Sequence, residues 1–207
     1  MDLAALNREF EKTWAPERIA RARALFGDDL ILTTTFGQTA GVMLRLATAA
    51  MPGLRVINIR HGYETSRTLE LADYFTRTLN LNLRVYEAPR LSIPNEGTPE
   101  FEHFKHVIKT ETFEKMLERE KPRAWFSGIM REETPERLTF DFVMNRGAVV
   151  AVYPILDWSE IDAREFCIAH HLPMNEHYYD PCKGLSQKKE CSLHIGKIGE
   201  SWMSSGL

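Results

Sequence analysis

The chain has 207 residues, of which 27% are charged and 43% hydrophobic, and a formal net charge of −3. That length fits one domain with a full hydrophobic core, and the balance excludes both a disordered chain and a generalised polyanion-binding surface, so any phosphate recognition must be local. Three cysteines, Cys167, Cys182 and Cys191, are too few and too scattered for a disulfide scaffold, and their odd number leaves at least one free thiol, which points to a reducing cytoplasm.

The chain opens with an early acid, Asp2, and no apolar stretch of signal-peptide length, and its longest apolar run, residues 148–156, is interrupted by Pro154. Neither export nor a membrane span is expected. Residues 2–26 read as a helix, with Leu3, Leu6, Phe10, Trp14, Ile19 and Leu25 set among charges, until Gly27-Asp28-Asp29 breaks the pattern. Residues 30–35 are apolar and β-branched, a buried strand. Phe36-Gly37-Gln38 turns the chain into a small-residue-rich helix over residues 39–50, which Pro52-Gly53 stops.

The strand, loop, helix unit then recurs: strand 54–59, turn His61-Gly62-Tyr63, helix 66–79, strand 81–86. Such alternation predicts parallel strands joined by helical crossovers, an open, mostly parallel, doubly wound α/β sheet of the Rossmann-like kind. A polar, proline-bearing segment over residues 88–100 gives way to helical pattern up to about residue 120. Residues 124–127 form a short strand ending at Gly128, residues 149–153 the last strand, and Ser159-Glu160-Ile161-Asp162 the capped start of a helix to about residue 171. Beyond Leu172 the chain is polar and irregular. One domain over residues 1–207 is expected, with 173–207 a mobile catalytic tail.

In open parallel sheets ligands bind beyond the carboxyl ends of the strands, and three predicted loops emerge there: residues 33–38, 60–63 and 128–137. In the first, Thr33, Thr34, Thr35, Phe36, Gly37 and Gln38 offer hydroxyls and backbone N–H groups at a helix N-terminus, suited to a phosphate. The loop lacks the Gly-Lys-Ser/Thr ending of a Walker loop and the glycines of a dinucleotide fingerprint. The third loop begins at Gly128 and carries Arg131 and Arg137, whose planar guanidinium groups match phosphate and sulfate. Arg60 and His61 are further anion contacts, beside Gly62 and Tyr63.

Near the C-terminus, Lys188-Lys189-Glu190-Cys191-Ser192-Leu193-His194 sets a cysteine among two lysines and a histidine. Cationic neighbours favour the thiolate, and a thiol of ordinary pKa about 8.5 needs only about one unit of depression to ionise substantially at neutral pH. No metal is expected: Cys182, Cys191, His177 and His194 lie near one another, but no Cys-x-x-Cys or His-x-x-x-His pair occurs among them. Cys167, between Phe166 and Ile168, reads as a buried small hydrophobe.

Together these pieces resemble the thioredoxin-dependent phosphoadenylyl sulfate reductases, within the adenine-nucleotide alpha-hydrolase-like group, over about residues 30–196. The family's serine-rich loop before Phe-Gly is similar to Thr33-Thr34-Thr35-Phe36-Gly37, its Thr-Gly-Tyr segment to His61-Gly62-Tyr63, and its Gly-x-Arg-Arg-Glu loop to Gly128-Ile129-Met130-Arg131-Glu132, with Arg137 beyond. Pro154-Ile155-Leu156-Asp157-Trp158 resembles its Pro-Ile-x-Asp-Trp stretch, and Glu190-Cys191-Ser192-Leu193-His194 its Glu-Cys-Gly-Leu-His tail. The chain departs from the pattern at Arg60, Met130 and Ser192.

The resemblance implies that Cys191 attacks the sulfur of a phosphosulfate, that Lys188, Lys189, Arg131 and Arg137 offset the anionic charge, and that His194 assists. Thioredoxin or glutaredoxin then supplies electrons, so no bound redox cofactor is implied, nor any nucleic acid or membrane partner; relatives are often homodimers. Relatives that reduce adenylyl sulfate hold a 4Fe-4S cluster with a Cys-Cys and a Cys-x-x-Cys pair, whereas this chain has three cysteines and no adjacent two. Absence of the four ligands favours the 3'-phosphorylated substrate, with cluster-free reduction of adenylyl sulfate as the alternative. An ATP pyrophosphatase of the same fold would carry Ser-Gly-Gly-x-Asp-Ser at the first loop, which this chain does not, and a non-catalytic nucleotide-binding protein would have little use for the cationic thiol.

Overall fold

A computed structural model describes residues 1–187. The stretch expected as one N-terminal helix is two, α1 (Leu3–Phe10) and α2 (Ala15–Phe26). Asp2 caps the first by accepting from the Ala5 N–H at 3.0 Å. Between them Trp14 is extended, its N–H bonded to the Glu17 carboxylate at 2.8 Å, and Pro16 falls in the first turn of α2, where its missing N–H is not needed.

There follow β1 (Leu30–Thr33), α3 (Ala40–Ala50), β2 (Arg55–Arg60), α4 (Ser66–Thr78) and β3 (Asn82–Glu87). Next, α5 (Pro99–Lys105) runs through a π-helical stretch (His106–Glu111) into α6 (Thr112–Glu120), and β4 (Ala124–Phe126) returns to the sheet. A hairpin of β5 (Val143–Arg146) and β6 (Val149–Val152) and then α7 (Glu160–Ala169) complete the strands and α-helices of the described residues. The six strands lie in the order β3-β2-β1-β4-β6-β5, all parallel except β5, which is antiparallel to β6. This is the expected doubly wound class, with an antiparallel edge that the sequence reading does not contain.

Leu30, Ile31, Leu32, Trp125, Phe126 and Val152 on the central strands are buried, as the near-continuous apolar runs of a sheet covered on both faces require. The edges are closed by polar groups instead. Asn7 of α1 brackets β5 through the Val143 carbonyl at 2.9 Å and the Val143 N–H at 2.8 Å. At the opposite end of the strand array the buried Glu120 carboxylate receives Arg55 at 3.0 Å, Arg84 at 2.5 Å and the Tyr86 hydroxyl at 2.6 Å, tying α6 to β2 and β3. Burial pushes the Glu120 carboxyl up, but these donors together outweigh it and hold the group at about 2. Arg18, buried on α2, donates to Phe10 and Pro154 carbonyls and forms a two-pronged pair with Asp157, so the Asp157 of the family-like stretch serves as a tie between α2 and the segment after β6.

The chain leaves β1 in opposite directions along the sheet: β2 and β3 lie on one side, β4, β6 and β5 on the other. The reversal opens a crevice beyond the carboxyl ends of β1 and β4.

Candidate active site

A cleft of about 1000 Å³ occupies that crevice. Its apolar wall comes from the sheet and its helices: Leu32, Ile57, Ile59, Met43, Phe113 and Trp125. Gly128, at the end of β4, belongs to the same wall. A Cβ there would stand 2.8 Å from Met43 Cγ, so glycine is what lets β4 and α3 meet beneath the cleft.

The first loop is shaped by its own side chains. Thr33 Oγ1 donates to the Phe126 carbonyl at 3.3 Å, and the Phe36 N–H donates to Thr34 Oγ1 at 3.1 Å. Phe36 is buried with a φ of 51°, a left-handed conformation unusual for an aromatic residue, and points its ring into the core while the backbone bends towards α3. Asn175 holds that bend: its Nδ2 donates to the Phe36 carbonyl at 2.8 Å and to Thr68 Oγ1 at 2.9 Å, and its N–H to the Gln38 carbonyl at 3.1 Å. The N–H groups of Thr35, Gly37, Gln38 and Thr39 have no partner among the described residues and sit at the α3 N-terminus, where the helix dipole favours an anion. Thr33, Thr34, Thr35, Gly37 and Gln38 all line the cleft.

The third loop divides. Gly128 and Arg137 line the cleft, Arg137 buried and paired with Glu133. Arg131 turns the other way, donating to the Phe140 carbonyl from Nε at 3.3 Å and from Nη2 at 3.2 Å and lying 5.0 Å over the Phe142 ring. The expected pair of guanidinium groups therefore reduces, in this arrangement, to one facing the cleft.

The second loop stands behind the wall rather than in it. Arg60 is engaged with Asn58 at 3.3 Å and Glu87 at 3.7 Å, and the Tyr63 hydroxyl donates to the Leu91 carbonyl. Gly62 has a φ of 80°, which the tight turn demands. Glu64 accepts the His61 and Gly62 N–H groups at 2.7 and 3.1 Å, and the Tyr63 N–H donates to His61 Nδ1 at 3.0 Å. Burial lowers the His61 pKa first and the nearby Lys109 charge lowers it further, more than Glu64, Asp180 and the Tyr179 carbonyl restore, so the ring is neutral.

Further charged residues at the cleft were not anticipated. Lys109, on the π-helical stretch, pairs with Asp180 at 2.9 Å, and both side chains are buried. Arg164 of α7 lies 3.9 Å from Glu176, and Lys183 sits 5.8 Å over the Tyr178 ring. A period of 3.6 residues cannot reveal a π-turn, and Asp180 falls in a segment with no periodicity at all. In that segment, expected as the start of a mobile tail, Asn175, Asp180, Pro181 and Cys182 are buried, and the Leu185 N–H donates to Glu96 at 2.9 Å. Buried charge pairing and side-chain clamps replace the apolar stripe that would have signalled packing.

Lys188, Lys189, Cys191 and His194 lie outside the described residues. Of the other cysteines, Cys167 is fully buried, as expected, and burial pushes its thiol up; Cys182 is also buried. Among the described residues no helix is long and apolar enough to cross a membrane.

A mostly parallel α/β sheet with an anion-suited strand-to-helix loop at its switch point and cations around one cleft is the architecture of the adenine-nucleotide alpha-hydrolase-like fold. The family described as "Phosphoadenosine phosphosulfate reductase domain" matches residues 29–185. A phosphoadenosine 5'-phosphosulfate reductase of Synechocystis sp. is 32% identical over 242 aligned positions, covering 100% of this chain and 97% of the relative. One from Photobacterium profundum is 30% identical, with 99% and 82% covered. The crystal structure of phosphoadenylyl-sulfate reductase from Candida auris, a phosphate complex, superposes with a TM-score of 0.69 at 15% identity, covering 84% of this chain and 87% of that one. The chain belongs to the phosphoadenosine phosphosulfate reductase family, a family of oxidoreductases acting on sulfur groups.

Proposed function

We propose that this protein reduces 3'-phosphoadenylyl sulfate to sulfite and adenosine 3',5'-bisphosphate in sulfate assimilation, with thioredoxin or glutaredoxin as the electron donor in the cytoplasm. The observation that carries the reading is the cleft at the β1/β4 switch point, where the N–H groups of Thr35, Gly37, Gln38 and Thr39 with Arg137 and Lys109 surround an apolar wall. The wall suits an adenine and the donors a chain of phosphate and sulfate oxygens.

In this reading the Cys191 thiolate attacks the sulfur of the phosphosulfate. A sulfur–sulfur bond forms, the sulfur–oxygen bond to the phosphate breaks, and the nucleotide leaves with the electron pair. A donor thiolate next attacks Cys191 Sγ, sulfite departs with the electrons of the broken sulfur–sulfur bond, and the donor's second thiol closes its disulfide. The cleft's role is to bind and orient the anion; Lys188, Lys189 and His194 would favour the thiolate that meets it. The domain thus divides into a nucleotide-binding body and a C-terminal catalytic tail.

Sulfite release in the presence of reduced thioredoxin tests the assignment. Wild-type protein is expected to release it faster from 3'-phosphoadenylyl sulfate than from adenylyl sulfate, and Cys191→Ser to release none. Sulfite from Cys191→Ser at the wild-type rate would refute the nucleophile. A faster reaction with adenylyl sulfate would reverse the substrate preference.

A further inference from the structure

Among the groups around the cleft, the buried pair Lys109–Asp180 is the least explicable by stability. Withdrawing two charges from water is costly, and apolar residues of similar volume commonly hold a fold as well or better. Yet the pair stands at the cleft wall with side chains only 4% and 3% exposed and 2.9 Å between Nζ and Oδ2.

The surroundings of Asp180 are built in detail. Its Oδ1 accepts the Cys182 N–H at 3.0 Å, and Tyr178 reaches Oδ2 at 3.4 Å. Its own N–H donates to Gln187 Oε1 at 2.8 Å, while Gln187 Nε2 returns to the Asp180 carbonyl at 3.0 Å. The neutral His61 lies close enough to feel both charges of the pair. Burial alone would raise the Asp180 carboxyl, but the Lys109 ammonium and the Cys182 N–H outweigh it and hold the carboxyl below its usual range.

We propose that Asp180 is a positioning residue of the site: one carboxylate oxygen holds the Lys109 ammonium at the cleft wall, and the other fixes the turn at residues 180–187. The carboxylate acts through Lys109, keeping a cation where an oxyanion of the bound nucleotide arrives, and touches no reacting atom itself. The assignment rests on the reading of the cleft as a phosphosulfate site.

Steady-state sulfite release by wild type, Asp180→Asn, Lys109→Met and the double variant tests it. The carboxamide can still accept from Cys182, so the fold of the turn is retained while the charge is lost. The expected outcome is a KM for the phosphosulfate raised about tenfold or more with kcat within about threefold, the split that marks lost binding. The double variant should be no worse than Lys109→Met alone, because the two residues act as one unit. An unchanged KM in Asp180→Asn, or losses that add in the double variant, would overturn the proposal.

Should Asp180→Asn fail to fold, the exchanged pair Lys109→Asp/Asp180→Lys replaces it. That protein retains the ion pair but moves the ammonium and loses the acceptor for the Cys182 N–H, so a folded protein of lowered thermal midpoint with a raised KM is expected, and a wild-type KM refutes positioning. Wild-type protein that yields no sulfite would remove the phosphosulfate reading and the proposal with it, whereas wild-type turnover with an indifferent Asp180→Asn removes the proposal alone.

Discussion

Phe36 and Asn175 show how a single contact shapes the candidate site. A left-handed φ at an aromatic residue is uncommon, and it is held here by the Asn175 amide on the Phe36 carbonyl. Asn175→Ala leaves that carbonyl and Thr68 without their donor, which costs about 1–3 kcal/mol for a buried polar group. The loop of residues 33–38 then loosens, so a fall in thermal midpoint accompanied by a raised KM for the nucleotide is expected; a lower midpoint with unchanged KM would separate Asn175 from anion binding. Gly128→Ala brings a Cβ to 2.8 Å from Met43 Cγ and should destabilise by about 1–3 kcal/mol, as overpacked cores do. Chemical denaturation reads that difference directly. The threonine loop and Gly128 are legible in the sequence because a β-branched strand ending in a turn residue announces a strand-to-helix loop. Lys109, Asn175 and Asp180 are not, since a lone polar residue in a helical or irregular stretch has no local mark of burial.

At the scale of elements, the parallel strands, their crossovers and the Ser159 cap are all readable from the alternation of apolar runs and helical periods. The break at Trp14 is hidden by an apolar pattern that continues across it. Strand β5 is hidden for a different reason: an edge strand buries only part of each face, and Val143-Met144-Asn145-Arg146 shows neither a run nor an alternation. The tie between α6 and strands β2 and β3 gives a pH signature. Glu120 moves from its ordinary 4.5 to about 2 on folding, so its contribution is complete above about pH 4.5 and is lost as pH falls through about 2. Glu120→Gln should therefore be less stable than wild type at neutral pH, with the two converging in acid. Thermal midpoints measured across that range test the tie, and a gap that stays constant with pH would contradict it. Arg18→Met orphans the Phe10 and Pro154 carbonyls and should cost roughly 3 kcal/mol without altering the KM, because its partners lie away from the cleft.

For the molecule as a whole, sheet order explains why loops distant in sequence converge. The reversal at β1 brings residues 33–38 and 128–137 to one crevice, while π-helical residue Lys109 and the segment over residues 173–187 close its side. The second loop, equally well placed on paper, is held behind the wall by Glu64, which accepts the His61 and Gly62 N–H groups, and by the Tyr63 hydroxyl on the Leu91 carbonyl. Sequence order alone cannot distinguish a loop that lines a cleft from one that buttresses it; that depends on which side chains find partners. In the proposed reading the family-like tail supplies the reactive sulfur, and the body of the domain supplies the place for its target. Mass spectrometry of the Cys191 peptide after incubation with 3'-phosphoadenylyl sulfate, with no thiol donor present, joins the two most directly. A gain of one SO3 unit, about 80 Da, on Cys191 is the predicted result, as a covalent intermediate requires. An unmodified Cys191 in protein that still releases sulfite when donor is added would contradict the account.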